Sequence, residues 1–236
     1  MISLLKNKRI LIVVAHPDDE LLGLGATMNK LITEHSCFVR VVILGEGITS
    51  RSDKRDLLKH KEELEIHKQN IQEAQVAIGY QELSVYDFPD NRFDTVALLD
   101  IIKVVEKEKD AFNPEIIFTH HGGDVNIDHQ RTFEAVTTAT RPIVNEGVNT
   151  IITFETASGT EWIASTDPRK FNPNLFIEVG EKNISAKIKG MESYEYEKRK
   201  YPHPRSPEAL EIQSKRWGVA IGVEYAEAFC IVRILM

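Results

Sequence analysis

The run Ile10-Leu11-Ile12-Val13-Val14-Ala15 is apolar at every position and breaks off directly into His16-Pro17-Asp18-Asp19-Glu20. A strand that is apolar on both faces belongs inside a parallel sheet with helices on either side, because a sheet with one wet face alternates polar and apolar residues. The next segments agree: a helical pattern from about Glu20 to His35, then a second apolar run from Cys37 to Leu44, which together make a βαβ unit. In open α/β sheets ligands bind beyond the carboxyl ends of the strands. His16, Asp18 and Asp19 therefore stand at a reactive edge.

The alternation continues along the chain. Ser52 or Asp53 is placed to cap a long helix whose apolar positions Leu57, Leu64, Ile71, Ala74 and Ile78 recur at helical spacing, with Gly79 as its stop. Val85 to Phe88, Ile116 to Thr119 and Ile151 to Phe154 read as strands, and Val96 to Val105 and His129 to Thr140 as helices. The C-terminal third is less regular, with strands at Leu175 to Val179 and Ala228 to Leu235 and helices at Ser185 to Tyr201 and Ser206 to Ala220. The expectation is one α/β domain over residues 1–236, a Rossmann-like, mostly parallel sheet with helices on both faces. No linker, internal repeat or low-complexity tract divides it.

A formal charge of −7 offers no electrostatic footprint for nucleic acid or an anionic membrane. No apolar run is long enough to span a bilayer, and Met1-Ile2-Ser3-Leu4-Leu5 is cut short by Lys6, Lys8 and Arg9, so a cytoplasmic protein is the default expectation. Cys37 and Cys230 each lie in an apolar run and read as thiols of a reducing compartment.

An imidazole and a carboxylate three positions apart, His16 and Asp19, with Pro17 stiffening the loop, can converge on one metal ion and leave Asp18 for proton transfer. The plainer reading makes Asp18 or Asp19 a helix cap. A second constellation supplies further ligands. The apolar run Ile116-Ile117-Phe118 ends in Thr119-His120-His121-Gly122-Gly123-Asp124-Val125-Asn126-Ile127-Asp128-His129, again strand, polar loop and helix. His129 is the leading second histidine, with His120 and His121 as rivals. Two histidines and a carboxylate suit catalytic zinc, and also non-haem iron.

These residues resemble the LmbE-like, or PIG-L-like, zinc-dependent N-deacetylases, which act on N-acetylglucosamine-type sugars. Ala15-His16-Pro17-Asp18-Asp19-Glu20 and Asp128-His129 carry the resemblance, supported by Phe154-Glu155-Thr156 to Glu161-Trp162 and by His203-Pro204-Arg205-Ser206-Pro207-Glu208-Ala209. The resemblance implies that His16, Asp19 and His129 bind Zn2+ and that Asp18 is the general base. It implies release of acetate from a small-molecule N-acetylated sugar or glycoconjugate. Many members carry a histidine where this chain has Asn126. An amide can donate to an oxyanion but cannot serve as a general acid near neutral pH. The acid role is left to Asp18 acting twice, or to His203, His120 or His121. Asp128 is a candidate to orient an imidazole or to cap a helix.

Glu46 and Arg51, in the loop after the second strand, are candidates to hydrogen-bond sugar hydroxyls, although Arg51 also reads as a surface charge. Gly45 and Gly47 lack the third glycine of a dinucleotide loop and read as a turn. Trp162 is a candidate stacking residue, against the commoner fate of burial. His203 and Arg205 are expected to border the pocket, with Ser206 and Pro207 opening the next helix. Competing readings are another divalent metal used on a different sugar or nucleotide-linked substrate, a nucleotide-binding module, and a non-catalytic subunit; a homo-oligomer is left open. The absent third glycine opposes the second and the intact His16, Asp18, Asp19 and His129 oppose the third.

Overall fold

The computed structural model describes residues 4–235; Met1–Ser3 and Met236 lie outside them. The elements run β1 (Arg9–Val14), α1 (Asp19–His35), β2 (Phe38–Gly45), α2 (Lys61–Ile78), β3 (Glu82–Phe88), α3 (Leu98–Phe112), β4 (Ile116–His120), α4 (Ile127–Ala139), β5 (Thr150–Phe154), β6 (Leu175–Glu178), α5 (Gly180–Ser193), α6 (Pro207–Ile221) and β7 (Ala226–Ile234). The sheet order is β3-β2-β1-β4-β5-β7-β6. Strands β1 to β5 are parallel, and β7 is antiparallel to both of its neighbours. The expected α/β class and mostly parallel sheet are thus observed.

The apolar run of β1 serves two cores. Ile10, Ile12 and Val14 join a cluster with Leu21, Leu24, Phe118, Phe154 and Phe229. Leu11, Val13 and Ala15 point to the opposite face, with Val42, Phe93, Ile117 and Val136. Helices α1, α2 and α5 pack together on the first face, and α3 with α4 on the second. Helix α1 is buried from Asp19 to Met28 and lies so close to β5 that a Cβ at Gly23 would sit 2.2 Å from the Phe154 ring. Its helical path is interrupted at Leu24 (φ −149°). Glu227 repairs the break by accepting from the N–H groups of Ala26 (3.4 Å) and Thr27 (2.7 Å). Lys187 then donates to Glu227 (2.6 Å) and to the Leu22 carbonyl (3.0 Å), so this buried carboxylate is fully paired. Removing one partner of such a pair typically costs about 3–5 kcal/mol.

Several boundaries differ from the expectation, each for a local reason. The helix expected from Ser52 or Asp53 begins at Lys61, because the Ser52 hydroxyl is bonded to His60 (2.8 Å) and Asp56 accepts from the N–H groups of Leu58 (3.1 Å) and Lys59 (3.0 Å). Leu57 therefore lies outside the helix. Helix α4 begins two residues before His129, with Asn126 as its cap: the Asn126 side chain accepts from the Asp128 N–H. Helix α5 spans Gly180–Ser193 instead of Ser185 to Tyr201, and residues 194–206 form a looped segment tied to the site. Ser206 caps α6 as expected, accepting from Ala209 at 3.1 Å. Gly47 takes a left-handed turn (φ 71°), and both cysteines are free thiols, Cys37 buried and Cys230 half-buried.

Candidate active site

Strand β1 has β2 on one side and β4 on the other, so the direction of winding reverses between β1 and β4. Loops leaving the carboxyl ends of such neighbours diverge and leave a crevice. The β1 loop brings His16, Asp18 and Asp19 there; the β4 loop and the first turn of α4 bring Asp124, Asn126, Asp128 and His129.

His16, Asp19 and His129 are all buried, and one ligand atom from each lies within 4.8 Å of the others. Asp19 Oδ2 stands 3.4 Å from His16 Nδ1 and 3.3 Å from His129 Nε2. His129 Nε2 has no hydrogen-bond partner. A buried imidazole nitrogen without a partner, facing a carboxylate and a second imidazole, is the donor arrangement a divalent cation takes. Carboxylates face the far nitrogens. His16 Nε2 bonds to Asp128 Oδ2 at 2.9 Å, and His129 Nδ1 lies 3.1 Å from Asp124 Oδ2. Asp124 is itself held by Thr160 Oγ1 (2.7 Å) and the Asn126 N–H (2.8 Å), and Asp128 by the Phe93 N–H (2.8 Å).

Burial disfavours the imidazolium of His129, but Asp19 and Asp124 outweigh it and push its pKa up to about 9. Burial likewise opposes the Asp19 carboxylate, yet His129 beside it draws its pKa well below the ordinary range. For His16, bonds to Asp128 and Asp19 overcome burial and raise its pKa. A pocket that attracts protons this strongly attracts a metal cation for the same reason, and the two compete for the imidazole lone pairs.

His120, a rival ligand in the sequence, is excluded by its bonds. Its Nε2 accepts from the Ala15 N–H at 2.9 Å and its Nδ1 bonds to Thr156 Oγ1 at 3.0 Å. Burial and neighbouring His129 lower its pKa to about 4, so it is a neutral prop stacked on His129 with ring centroids 3.9 Å apart. His121 points away, its Nε2 2.6 Å from the Arg169 carbonyl. Neither is placed to protonate a leaving group.

Above this group opens a cleft of about 310 Å³ lined by polar and charged side chains. Among its lining residues are His16, Asp18, Arg51, Asn126, Trp162, His203 and Arg205. Asp18 occupies the N-cap position of α1 in a left-handed conformation (φ 100°), but its side chain makes no cap bond. The plain capping reading therefore fails for it. Asp18 Oδ2 has Arg205 Nη1 at 3.0 Å and no hydrogen-bond partner, leaving it capacity to accept a proton. Burial pushes the Asp18 carboxyl well above the usual range, and Arg205 pulls it back only in part.

Among the described residues, the PIG-L family, described as GlcNAc-PI de-N-acetylase, matches 11–140, more than half of the chain and the whole of both histidine-bearing loops. The chain belongs to the PIG-L family. It is 26% identical over 194 residues to the "uncharacterized deacetylase YaiS" of Escherichia coli, covering 80% of this chain and 91% of that one. Its fold matches N,N'-diacetylchitobiose deacetylase of Pyrococcus horikoshii with a TM-score of 0.67 at 20% identity, over 96% of this chain and 84% of that one. It also matches GalB, the 4-carboxy-2-hydroxymuconate hydratase of a Pseudomonas, with a TM-score of 0.71 at 16% identity, over 97% and 98%. A fold shared by a deacetylase and a hydratase leaves the reaction to be argued from the site.

In and around this PIG-L cleft each of the remaining expected residues has defined partners. Arg205 bridges Asp18 and Glu197 and donates to Ser158 Oγ at 2.7 Å. Arg51 pairs with the other oxygen of Glu197 and donates to the Tyr196 carbonyl at 3.2 Å. Glu46 lies outside the lining of this cleft: its carboxylate accepts from the N–H groups of Ile48 (3.0 Å) and Thr49 (3.1 Å) and from Thr49 Oγ1 (2.5 Å), so it folds its own loop. Trp162 is 56% exposed on the cleft wall, with His203 edge-on at 6.3 Å between centroids. Asn126 donates one amide hydrogen to Asn91 Oδ1 (3.0 Å), and its second N–H is uncommitted. Asp128 does not cap α4; it accepts from the Phe93 N–H and serves His16 across the site, not the adjacent His129.

Sequence reasoning missed Asp124, Asp90 and Glu197. Asp124 follows Gly122-Gly123 in the motif already singled out, and its position after the β4 strand was the available signal. Asp90 stands 3.4 Å from His16 Nε2 and follows β3, at the same sheet edge. Glu197 fell in a stretch that reads as helix, and nothing local marks it. No helix among the described residues is long and apolar enough to cross a membrane.

Proposed function

We propose that this protein hydrolyses the N-acetyl amide of an amino sugar, with zinc held by His16, Asp19 and His129 and with Asp18 as the general base. The observation that carries the reading is the pairing of an uncapped, cleft-lining Asp18 carboxylate with an adjacent group of two imidazoles and one carboxylate. Zinc bound there would lower the pKa of a water to about 7 and polarise the acetyl carbonyl.

The chain's own groups complete the reaction. Asp18 accepts a proton from the attacking water as the new C–O bond forms at the acetyl carbon. The free N–H of Asn126 is available to the developing oxyanion. Asp18 then returns its proton to the nitrogen as the C–N bond breaks, so acetate and a free amine leave. A carboxyl whose pKa is raised by burial is suited to both transfers, since it holds and yields a proton nearer neutrality than an ordinary aspartate. Trp162 offers a flat apolar face to a sugar ring at the cleft wall.

The test is acetate release from N-acetylglucosamine and N,N'-diacetylchitobiose by zinc-loaded protein, with and without a chelator. Release that chelation abolishes and zinc restores supports the proposal. Failure of the loaded protein on a panel of acetylated amino sugars, or full activity of metal-free protein, overturns it.

A further inference from the structure

Asp18 is a non-glycine residue at φ 100°, ψ −26°, a backbone conformation that needs outside support. That support is specific. The Asp18 N–H donates to Glu20 Oε2 at 3.1 Å, and the other oxygen of Glu20 accepts from the Tyr194 hydroxyl at 2.6 Å. Both Glu20 and Tyr194 are wholly buried. Neither lines the cleft nor reaches the metal-ligand group, and Tyr194 sits immediately after α5, where the looped segment begins. The same segment carries Glu197, Arg199, His203 and Arg205 into the cleft. Asp18 is thus held twice from one stretch of chain: its backbone through Glu20 and Tyr194, its carboxylate by Arg205.

We propose that Glu20 and Tyr194 are a positioning pair that sets the backbone of Asp18, and so the direction of its carboxylate, relative to the cleft wall built by residues 194–206. The proposal rests on the reading of Asp18 as the base. Glu20 acts as a two-way acceptor, one oxygen for each partner. Its role is geometric: an amide in its place offers a carbonyl to the Asp18 N–H and an N–H to the tyrosine oxygen.

The experiment compares Glu20→Ala, Glu20→Gln and Tyr194→Phe in the zinc-loaded protein, with Asp18→Asn as reference. Glu20→Ala and Tyr194→Phe are expected to lower kcat by roughly 10- to 100-fold, the cost of misplacing a reacting group, with KM and zinc content within about twofold of the parent. Glu20→Gln is expected to restore most of kcat. Parental kcat in Glu20→Ala, or equal loss in Glu20→Gln and Glu20→Ala, overturns the pair. A crystal structure of Glu20→Ala supplies a readout independent of activity: Asp18 is expected to leave the left-handed region and its 3.0 Å contact with Arg205 to break. Unchanged Asp18 geometry overturns the proposal even before a substrate is found. Full turnover by Asp18→Asn overturns the base assignment instead, and the structure of Glu20→Ala then decides the pair alone.

Discussion

Asp128 Oδ2 bonds to Nε2 of His16 at 2.9 Å, reaching across from α4 to the β1 loop instead of serving His129 beside it in the chain. Asp124 faces His129 Nδ1 at 3.1 Å. With His16 Nε2 bonded to Asp128 and His129 Nδ1 turned toward Asp124, His16 Nδ1 and His129 Nε2 are the nitrogens left facing Asp19. Which nitrogen carries hydrogen follows from these partners. Carboxylates behind metal-binding imidazoles fix the ring and strengthen it as a ligand, and their loss typically costs about 10- to 100-fold in metal affinity. Asp128→Ala is expected to weaken zinc binding on that scale, measured by competition with a chelator of known affinity, and Asp128→Asn by less. Parental affinity in Asp128→Ala would remove Asp128 from the metal site.

Binding and chemistry separate at two residues. Asp18→Asn is expected to keep its zinc and lose turnover by roughly 10²- to 10⁴-fold, as for loss of a general base. His129→Ala is expected to lose zinc outright. Metal analysis alongside kcat distinguishes them; equal zinc loss in both variants would make Asp18 a ligand.

The pKa of about 9 at His129 fixes the sign of a pH effect on metal binding. At pH 7 that imidazole carries a proton, which zinc must displace. Zinc binding is therefore expected to release at least one proton at pH 7 and to strengthen as pH rises toward 9, then to lose that dependence above it. Calorimetry in buffers of different ionisation enthalpy counts the protons. A proton count of zero at pH 7 would contradict either the raised pKa of His129 or its place among the ligands.

Arg205, expected to border the substrate pocket, lines the cleft and sets its guanidinium on Asp18. Burial raises the Asp18 pKa and Arg205 lowers it, so removing the cation raises it further. A base works only when ionised, and its activity falls as pH drops through its pKa. The acidic limb of kcat/KM in Arg205→Leu is expected to move to higher pH, with Arg205→Lys between it and the parent. An unmoved limb in a folded, zinc-bound Arg205→Leu would mean that the limb reports another group.

The parts of this design legible in the sequence are those written as contiguous pattern. The strand β1, apolar on both faces, and the polar residues just beyond it placed His16, Asp18 and Asp19 at the sheet edge, and the β4 loop did the same for His129. What was hidden depends on pairing across the chain. Glu46 reads as a candidate for sugar hydroxyls until the backbone N–H groups of Ile48 and Thr49 are seen to claim its carboxylate. The stretch after Tyr194 reads as helix, but Glu197 leaves that path to meet Arg51 and Arg205, partners 146 and 8 positions away. Charge pairing of this kind leaves no periodic trace.

The source of the leaving-group proton is the point on which Asn126 bears, because an amide cannot serve as a general acid near neutral pH. Burial, then the guanidinium charges of Arg205 and Arg199, hold His203 below its ordinary pKa, so it is neutral at pH 7 and has no proton to give at the start of a cycle. On the proposed mechanism Asp18 gains one in the first step and returns it to the amide nitrogen. Asn126→Ala is expected to lower kcat by removing an oxyanion donor, a loss that can reach ~10²–10³, while Asn126→His is tolerated. The same alanine also deletes the α4 cap, which costs about 0.5–2 kcal/mol of stability, so the melting temperature must be read beside kcat. His203→Ala is expected to leave the basic limb of the pH profile in place. If it removes that limb while Asn126→Ala is silent, His203 is the acid and Asp18 acts only once.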